Sequence, residues 1–340
     1  MSFRQRLALA APHRETVVTI GVFDGVHQGH CHLLRRLVQL AQPSYLPTVI
    51  TFTNHPVTVL RPGVSIGYIT SPEDKERLLY QQGVELVIAL DFTLELAQVS
   101  ARDFTLALVK KLRLKGLVAG PDFSLGHNRE GNAPFLRKLG AELGFWVETV
   151  EPLALEGGSV RSRRVREAVR QGDVAAAARL LGRWFSLRGR VVPGNRRGRE
   201  LGFPTANLEI APLMLLPGDG IYATWVTVQG HSKNDQGVRR PAATSIGVRP
   251  TFGVSRRLVE VYVMDFSGDL YGQELNVEFV DKVRDQAAFP NVAALVEQMN
   301  GDVANARLTL TLSVEAARID GLNVNPRAEG RAQQGGADLA

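Results

Sequence analysis

Gly21-Val22-Phe23-Asp24-Gly25-Val26-His27-Gln28-Gly29-His30 joins a strand to a helix through a glycine-rich turn that carries two histidines. Upstream, Val17 to Val22 is a largely β-branched run suited to a buried strand; downstream, Leu33, Leu34, Leu37, Val38 and Ala41 recur at helical spacing. The turn therefore lies at the carboxyl end of a strand and the amino end of a helix. Backbone N–H groups and the positive end of the helix dipole gather there, and Gly21, Gly25 and Gly29 let an oxyanion approach the main chain. The segment reads as a nucleotide phosphate site.

The histidines narrow that reading. His27 and His30 are three apart, so within a first helical turn their imidazoles share a face and reach one polyphosphate. Donors aimed at oxygens that gain charge at an α-phosphate stabilise the transition state more than the ground state. Two alternatives stand beside this one. His27, His30, Cys31 and His32 crowd together like metal ligands, but successive helical residues diverge by about 100°, which sets the last two apart from the first two. The other alternative is a capped helix with incidental histidines.

Strand-like runs at Thr48 to Phe52, Leu86 to Leu90, Leu117 to Gly120 and Phe145 to Val150 alternate with helical patterns near residues 73 to 82, 101 to 113 and 132 to 143. That alternation predicts a parallel sheet covered on both faces. Ligands of such sheets collect at the strands' carboxyl ends. Three turns fall there and are expected to face one cleft: the opening motif, Thr53-Asn54-His55-Pro56, and the Gly120 to Gly126 loop with Asp122 at its start.

The 340 residues suggest two domains. Forty basic against 34 acidic residues give +6, favouring anionic ligands without requiring nucleic acid. The arginine clusters, Arg161, Arg163, Arg164 and Arg166, and then Arg196, Arg197 and Arg199, lack interleaved aromatic residues for base stacking, which favours phosphate ligands over RNA. No segment approaches a membrane span. Arg4 and Arg6 followed by Leu7 to Ala11 imitate a signal peptide only faintly, the apolar run being shorter than the ~7 to 15 residues such a peptide needs. A single cysteine, Cys31, leaves no internal disulfide and suits a reducing cytoplasm.

After Gly182 short strands with glycine and proline turns take over, an all-β signature. The domains are accordingly expected at 1–184 and 185–318, with residues 319–340 a disordered tail. Strands are expected at Ser186 to Val192, Gly220 to Val228, Ala242 to Ile246, Leu258 to Phe266 and Glu274 to Val280. A closing helix is expected after Pro290, with a stripe of Val292, Leu295, Val296, Met299 and Val303. Within Gly198 to Asn207, Thr205 and Asn207 are two apart in an extended stretch, so both oxygens face one way and can share one Mg2+, a hard ion that keeps phosphates and waters in its shell. A turn entering a strand, with no ion, is the alternative. Glu260 lies in an otherwise apolar strand, where burial would raise its pKa unless a partner compensates; it is a candidate base for a hydroxyl attacking a phosphoryl group, or else an ion-pair partner of Arg256 or Arg284.

The opening decamer resembles the GxFDGxHxGH signature of the bacterial bifunctional riboflavin kinase and FAD synthetase family, a branch of the HxGH nucleotidyltransferases. The HP pair after the second strand, the Asp122-Phe123 loop, GRxLGFPTAN, Ser245 to Phe252, Val259-Glu260-Val261, Asp269 to Gly272 and Arg284-Asp285 follow in family order, so the resemblance spans about residues 15 to 305. It implies a Rossmann-like α/β domain followed by a six-stranded Greek-key barrel with a terminal helix. It also implies phosphorylation of riboflavin to FMN with ATP, then adenylylation of FMN to FAD with a second ATP. On that resemblance Gly21, Phe23, Asp24, His27, Gly29, His30, Ser162 and Arg166 serve ATP and its phosphates. Asp122, Gly198, Arg199 and Arg284 serve the flavin, Thr205 and Asn207 hold Mg2+, and Glu260 is the base for the riboflavin 5′-hydroxyl. The chain departs from the pattern at one place. Where the family usually carries Ser-Ser-Thr-x-Ile-Arg, Arg161-Ser162-Arg163-Arg164-Val165-Arg166 keeps the central serine and last arginine and exchanges small hydroxyls for long cations. A flavin-sensing regulator without turnover, or a kinase with an impaired adenylyltransferase half, is the competing expectation.

Overall fold

The computed structural model describes residues 1–194, 198, 201–229, 238–251 and 254–319. Arg196, Arg197, Arg199 and residues 320–340 of the expected disordered tail lie outside the described residues; Ile319, the first residue of that tail, is helical. The chain separates into two compact units, Met1–Arg164 and Val165–Ala340.

The first unit runs α1 (Phe3–Ala10), β1 (Thr16–Ile20), α2 (Gln28–Ala41), β2 (Leu46–Phe52), α3 (Pro56–Leu60), α4 (Pro72–Gln81), β3 (Leu86–Leu90), α5 (Leu94–Ala97), α6 (Ala101–Leu112), β4 (Leu114–Ala119), the hairpin β5 (Ser124–Leu125) and β6 (Gly131–Asn132), α7 (Ala133–Leu143), β7 (Trp146–Thr149), and the hairpin β8 (Ala154–Leu155) and β9 (Gly158–Ser159). The five long strands form one sheet in the order β3-β2-β1-β4-β7, every pairing parallel. β1 is central and buried along its whole length. Alternation along it sends Val17 to one apolar layer, with Leu34, Leu37 and Val118, and Val18 to the other, with Leu108, Leu117 and Leu136. This is the expected Rossmann-like arrangement. The stretch that imitates a signal peptide is α1, started by a capping box between Ser2 and Gln5, with Leu7 buried in the core and Phe3 stacked on Phe104 at 5.4 Å.

The second unit holds α8 (Ser162–Gln171, from Val165 onward), α9 (Val174–Leu181), six strands and α10 (Val292–Ile319). The strands are β10 (Phe185–Val192), β11 (Ala206–Ile210), β12 (Gly220–Gln229), β13 (Arg239–Thr251), β14 (Val254–Val263) and β15 (Glu274–Arg284). They close into an antiparallel barrel in the order β10-β11-β14-β13-β12-β15, β15 pairing back onto β10. Sequence character changes near 184/185, where helices give way to strands; the compact division falls earlier because α9 packs on β10 and β15. The alternation expected of β15 is present, with Leu275, Val277 and Phe279 fully buried in the barrel. β11 is the sixth strand, formed by the extended stretch that carries Asn207, with Ala206 and Leu208 buried.

Of the stripe expected on α10, Leu295, Val296, Met299 and Val303 are half-buried and Val292 is 61% exposed; among the residues whose burial is described, the deepest positions are Asp302, Ala306 and Leu310, four residues apart, with Ala306, Leu310 and Val303 packed against Ala223, Ala243 and Val280. Asp302 replaces an apolar residue on that face because its carboxylate meets Arg284 of β15 at both oxygens, Nε to Oδ1 at 2.7 Å and Nη2 to Oδ2 at 2.6 Å.

Candidate functional site

The opening motif folds as its residue types require. β1 ends at Ile20, the chain turns through Phe23 and Gly25 in positive φ, and α2 starts with His27 as its N-cap. His27 is buried, and its Nδ1 accepts the His30 backbone N–H at 3.3 Å. A neutral ring whose Nδ1 accepts carries its proton on Nε2, so the cap fixes the tautomer that leaves Nε2–H as a donor. The two imidazoles stack, centroids 3.6 Å apart, and Phe23 meets His30 edge-on at 5.0 Å. Gly29 allows the closest approach: a Cβ there would lie 2.7 Å from Val160 O and 3.2 Å from the His27 ring.

His27, Gly29 and His30 line a cavity of about 330 Å³ with Asp122, Arg161 and Ser162. The Gly120 loop after β4 and the start of α8 thus meet the opening motif. Ser162 Oγ donates to the Asp24 carbonyl at 3.0 Å, and Arg161 Nη2 donates to Asp122 Oδ2 at 2.8 Å. The third expected turn is not part of this wall. Asn54 ties the end of β2 to the segment after β3, donating to Phe92 O and accepting the Phe92 N–H, while His55 caps α3.

Gly21, Phe23 and Asp24 likewise build the turn and are not in the cavity wall. Asp24 is buried, and its carboxylate accepts the N–H groups of Ile69 and Thr70 at 3.0 and 3.2 Å. Beside it lies a residue that the sequence reading missed. Lys75 of α4 is buried, and its Nζ donates to Phe52 O at 2.6 Å and reaches Val22 O at 3.4 Å, bracing the ends of β1 and β2. Burial lowers the Lys75 pKa below its ordinary value, and the Asp24 charge opposes that shift. The one signal for it in the sequence is a lysine three and four residues before Leu78 and Leu79, on the helix's apolar face.

In the second unit a cavity of about 700 Å³ brings together Gly198, Thr205, Asn207 and Glu260. Register explains it: Asn207 of β11 stands opposite Glu260 of β14, and Ser245 of β13 faces Glu260 from the other side. Val259, Val261 and Val263 point into the barrel, so Glu260 is on the outer face and only half-buried, not enclosed by apolar neighbours as its flanking residues suggested. The Gly198 carbonyl accepts the Phe203 N–H at 2.8 Å, folding its loop onto the Thr205 segment. Asp269 to Tyr271 complete the wall. Arg284 is absent from this wall and is held instead by Asp302. Arg166, half-buried on α8, belongs to the second unit.

Among the described residues no group of three or more His, Cys, Asp or Glu side chains is placed to hold a metal ion. Thr205, Asn207 and Glu260 bring a hydroxyl, an amide and a carboxylate to the larger cavity, a hard-oxygen set that fits a magnesium ion completed by phosphates and water.

Comparison with known proteins matches a family model to each unit. The family model described as FAD synthetase matches residues 9–164, and that described as riboflavin kinase matches residues 181–310. The bifunctional riboflavin kinase/FMN adenylyltransferase of Pseudomonas fluorescens is 37% identical over 302 residues, 88% of this chain and 94% of that one. The enzyme of the same description from Escherichia coli (strain K12) is 35% identical over 299 residues, 87% and 93% of the two chains. A crystal structure from Streptococcus pneumoniae described as a macrolide-efflux protein superposes with a TM-score of 0.80 at 33% identity, covering 87% of this chain and 95% of that one. Among the described residues no helix is long and apolar enough to cross a membrane. The matched models, the relatives' near-complete coverage and the two separate cavities place this chain in the bifunctional riboflavin kinase/FMN adenylyltransferase family.

Proposed function

We propose that the chain makes FAD in two steps at two sites: the barrel transfers the γ-phosphate of ATP to riboflavin, and the first unit transfers AMP from a second ATP to FMN. The observation that carries the kinase reading is the pairing of Asn207 with Glu260 beside Thr205 in one cavity. Glu260 accepts the proton of the riboflavin 5′-hydroxyl as its oxygen bonds to the γ-phosphorus and ADP departs. Thr205 and Asn207 would hold Mg2+, which supplies charge neutralisation at the phosphates when bound.

In the first unit an FMN phosphate oxygen attacks the α-phosphorus of ATP, and pyrophosphate leaves. The nucleophile is already an anion, so no base is required. The task is alignment and charge stabilisation. The amino end of α2, His27 and His30 perform it, with Ser162 on the facing wall. Asp24 acts at one remove: its carboxylate would repel phosphate, and its bonds to Ile69 and Thr70 order the turn. The kinase and adenylyltransferase activities are assigned to 185–318 and 1–184.

Incubation of the purified chain with riboflavin, ATP and Mg2+, followed by separation of the flavins, tests both steps. FMN followed by FAD is the expected product order. Absence of FMN rejects the kinase assignment, and accumulation of FMN without FAD rejects the adenylyltransferase one.

A further inference from the structure

Arg161 marks the chain's departure from the family's serine, and the structure gives it a partner across the smaller cavity. Its guanidinium donates to the Asp122 carboxylate at 2.8 Å, and both residues line the wall that also carries His27, Gly29, His30 and Ser162. The side chains are 61% and 70% exposed, so the pair contributes little net stability and separates readily. A phosphate offers a guanidinium the same fork geometry as a carboxylate with more negative charge.

Two anions must meet in this cavity for AMP to be transferred. The amino end of α2 and its histidines supply donors for one of them on the motif side. On the Gly120 loop side, Asp122 alone would repel the second. We propose that Arg161 is a specificity-determining ligand for the phosphate monoester of the flavin, held by Asp122 until that phosphate arrives and then transferred to it. This rests on the adenylyltransferase reading of the same cavity. Arg161 thereby favours the phosphorylated flavin over uncharged riboflavin, and Asp122 competes with the substrate for it. No bond is made or broken in the exchange.

The test is steady-state FAD formation by the full chain from supplied FMN and ATP, for Arg161→Ser, Asp122→Asn and the double variant. Circular dichroism and thermal unfolding of each variant against the wild type report that its first unit is folded. Arg161→Ser is expected to raise the KM for FMN about tenfold, the loss of one charge-assisted contact, and to leave the KM for ATP within about twofold. Asp122→Asn is expected to lower the KM for FMN, and to have no effect once Arg161 is serine. An effect of Arg161→Ser on the KM for ATP alone, no effect on either KM, or an equal effect of Asp122→Asn in both backgrounds overturns the proposal while leaving the adenylyltransferase reading intact. A wild-type chain that forms no FAD sinks both.

Discussion

Asn207 of β11 and Glu260 of β14 face each other as an antiparallel pair, with Thr205 at the edge of the same cavity. Directly opposed side chains on one face sit close enough to serve one ligand. If Asn207 supplies one of two neutral oxygens to Mg2+, Asn207→Ala is expected to raise the Mg2+ concentration for half-maximal FMN formation about tenfold or more. Titrating Mg2+ at fixed ATP reads this, and an unchanged midpoint removes Asn207 from the ion's ligands.

Gly29 tests the smaller cavity by sterics. Its substitution by alanine drives a Cβ to 2.7 Å from the Val160 carbonyl and 3.2 Å from the His27 ring, displacing the turn. FAD formation from supplied FMN should fall at least about tenfold while riboflavin phosphorylation persists. Gly120 lines the same cavity with nothing within 4 Å of its Cβ position, so Gly120→Ala should leave thermal stability unchanged.

Lys75 braces the strand ends beneath the motif, and Lys75→Met should cost about 1–3 kcal/mol of unfolding free energy by leaving the Phe52 carbonyl without this donor. The pH dependence has a definite sign. Folding lowers the Lys75 pKa below 10.5, so between that lowered value and 10.5 the unfolded chain binds more protons, and wild-type stability rises with pH relative to the methionine variant. Denaturant unfolding of both proteins across the alkaline range measures the difference, and a gap that narrows with rising pH contradicts it.

Arg284 and Asp302 fasten α10 to the barrel. Asp302 is 4% exposed, so Asp302→Asn leaves a part-buried guanidinium without its counter-charge, costing roughly 3 kcal/mol. Hydrogen exchange should accelerate in α10 first. Unchanged protection there would mean that the pair does not anchor the helix.

The parallel sheet was legible because short apolar runs alternate with helical patterns, although only β1 is buried at every position, and β15 because it alternates. β11 was not counted as a strand although Ala206, Leu208 and Ile210 alternate with Asn207 and Glu209, because only five residues alternate and a proline-containing polar segment leads into them. The α10 stripe was read incompletely, its half-buried residues found but its deepest face missed: a buried aspartate sits where pattern reading demands an apolar residue, and only the distant Arg284 justifies it. Thr205, Asn207 and Glu260 were legible as chemistry, but the β11–β14 register that unites them is a long-range fact. Asp24 and Arg284 were recognisable as motif residues, whereas their actual partners, Ile69 with Thr70 and Asp302, are 45 and 18 or more residues away in sequence.

The central claim is a division of labour between two sites, and isotope-labelled ATP tests it most directly in Glu260→Gln. With γ-labelled ATP and riboflavin, the wild type should place label in FMN, and the variant should lose at least about a hundredfold in that rate. With α-labelled ATP and supplied FMN, both proteins should form labelled FAD at similar rates. Loss of both reactions in the folded variant, or of neither, would contradict the account.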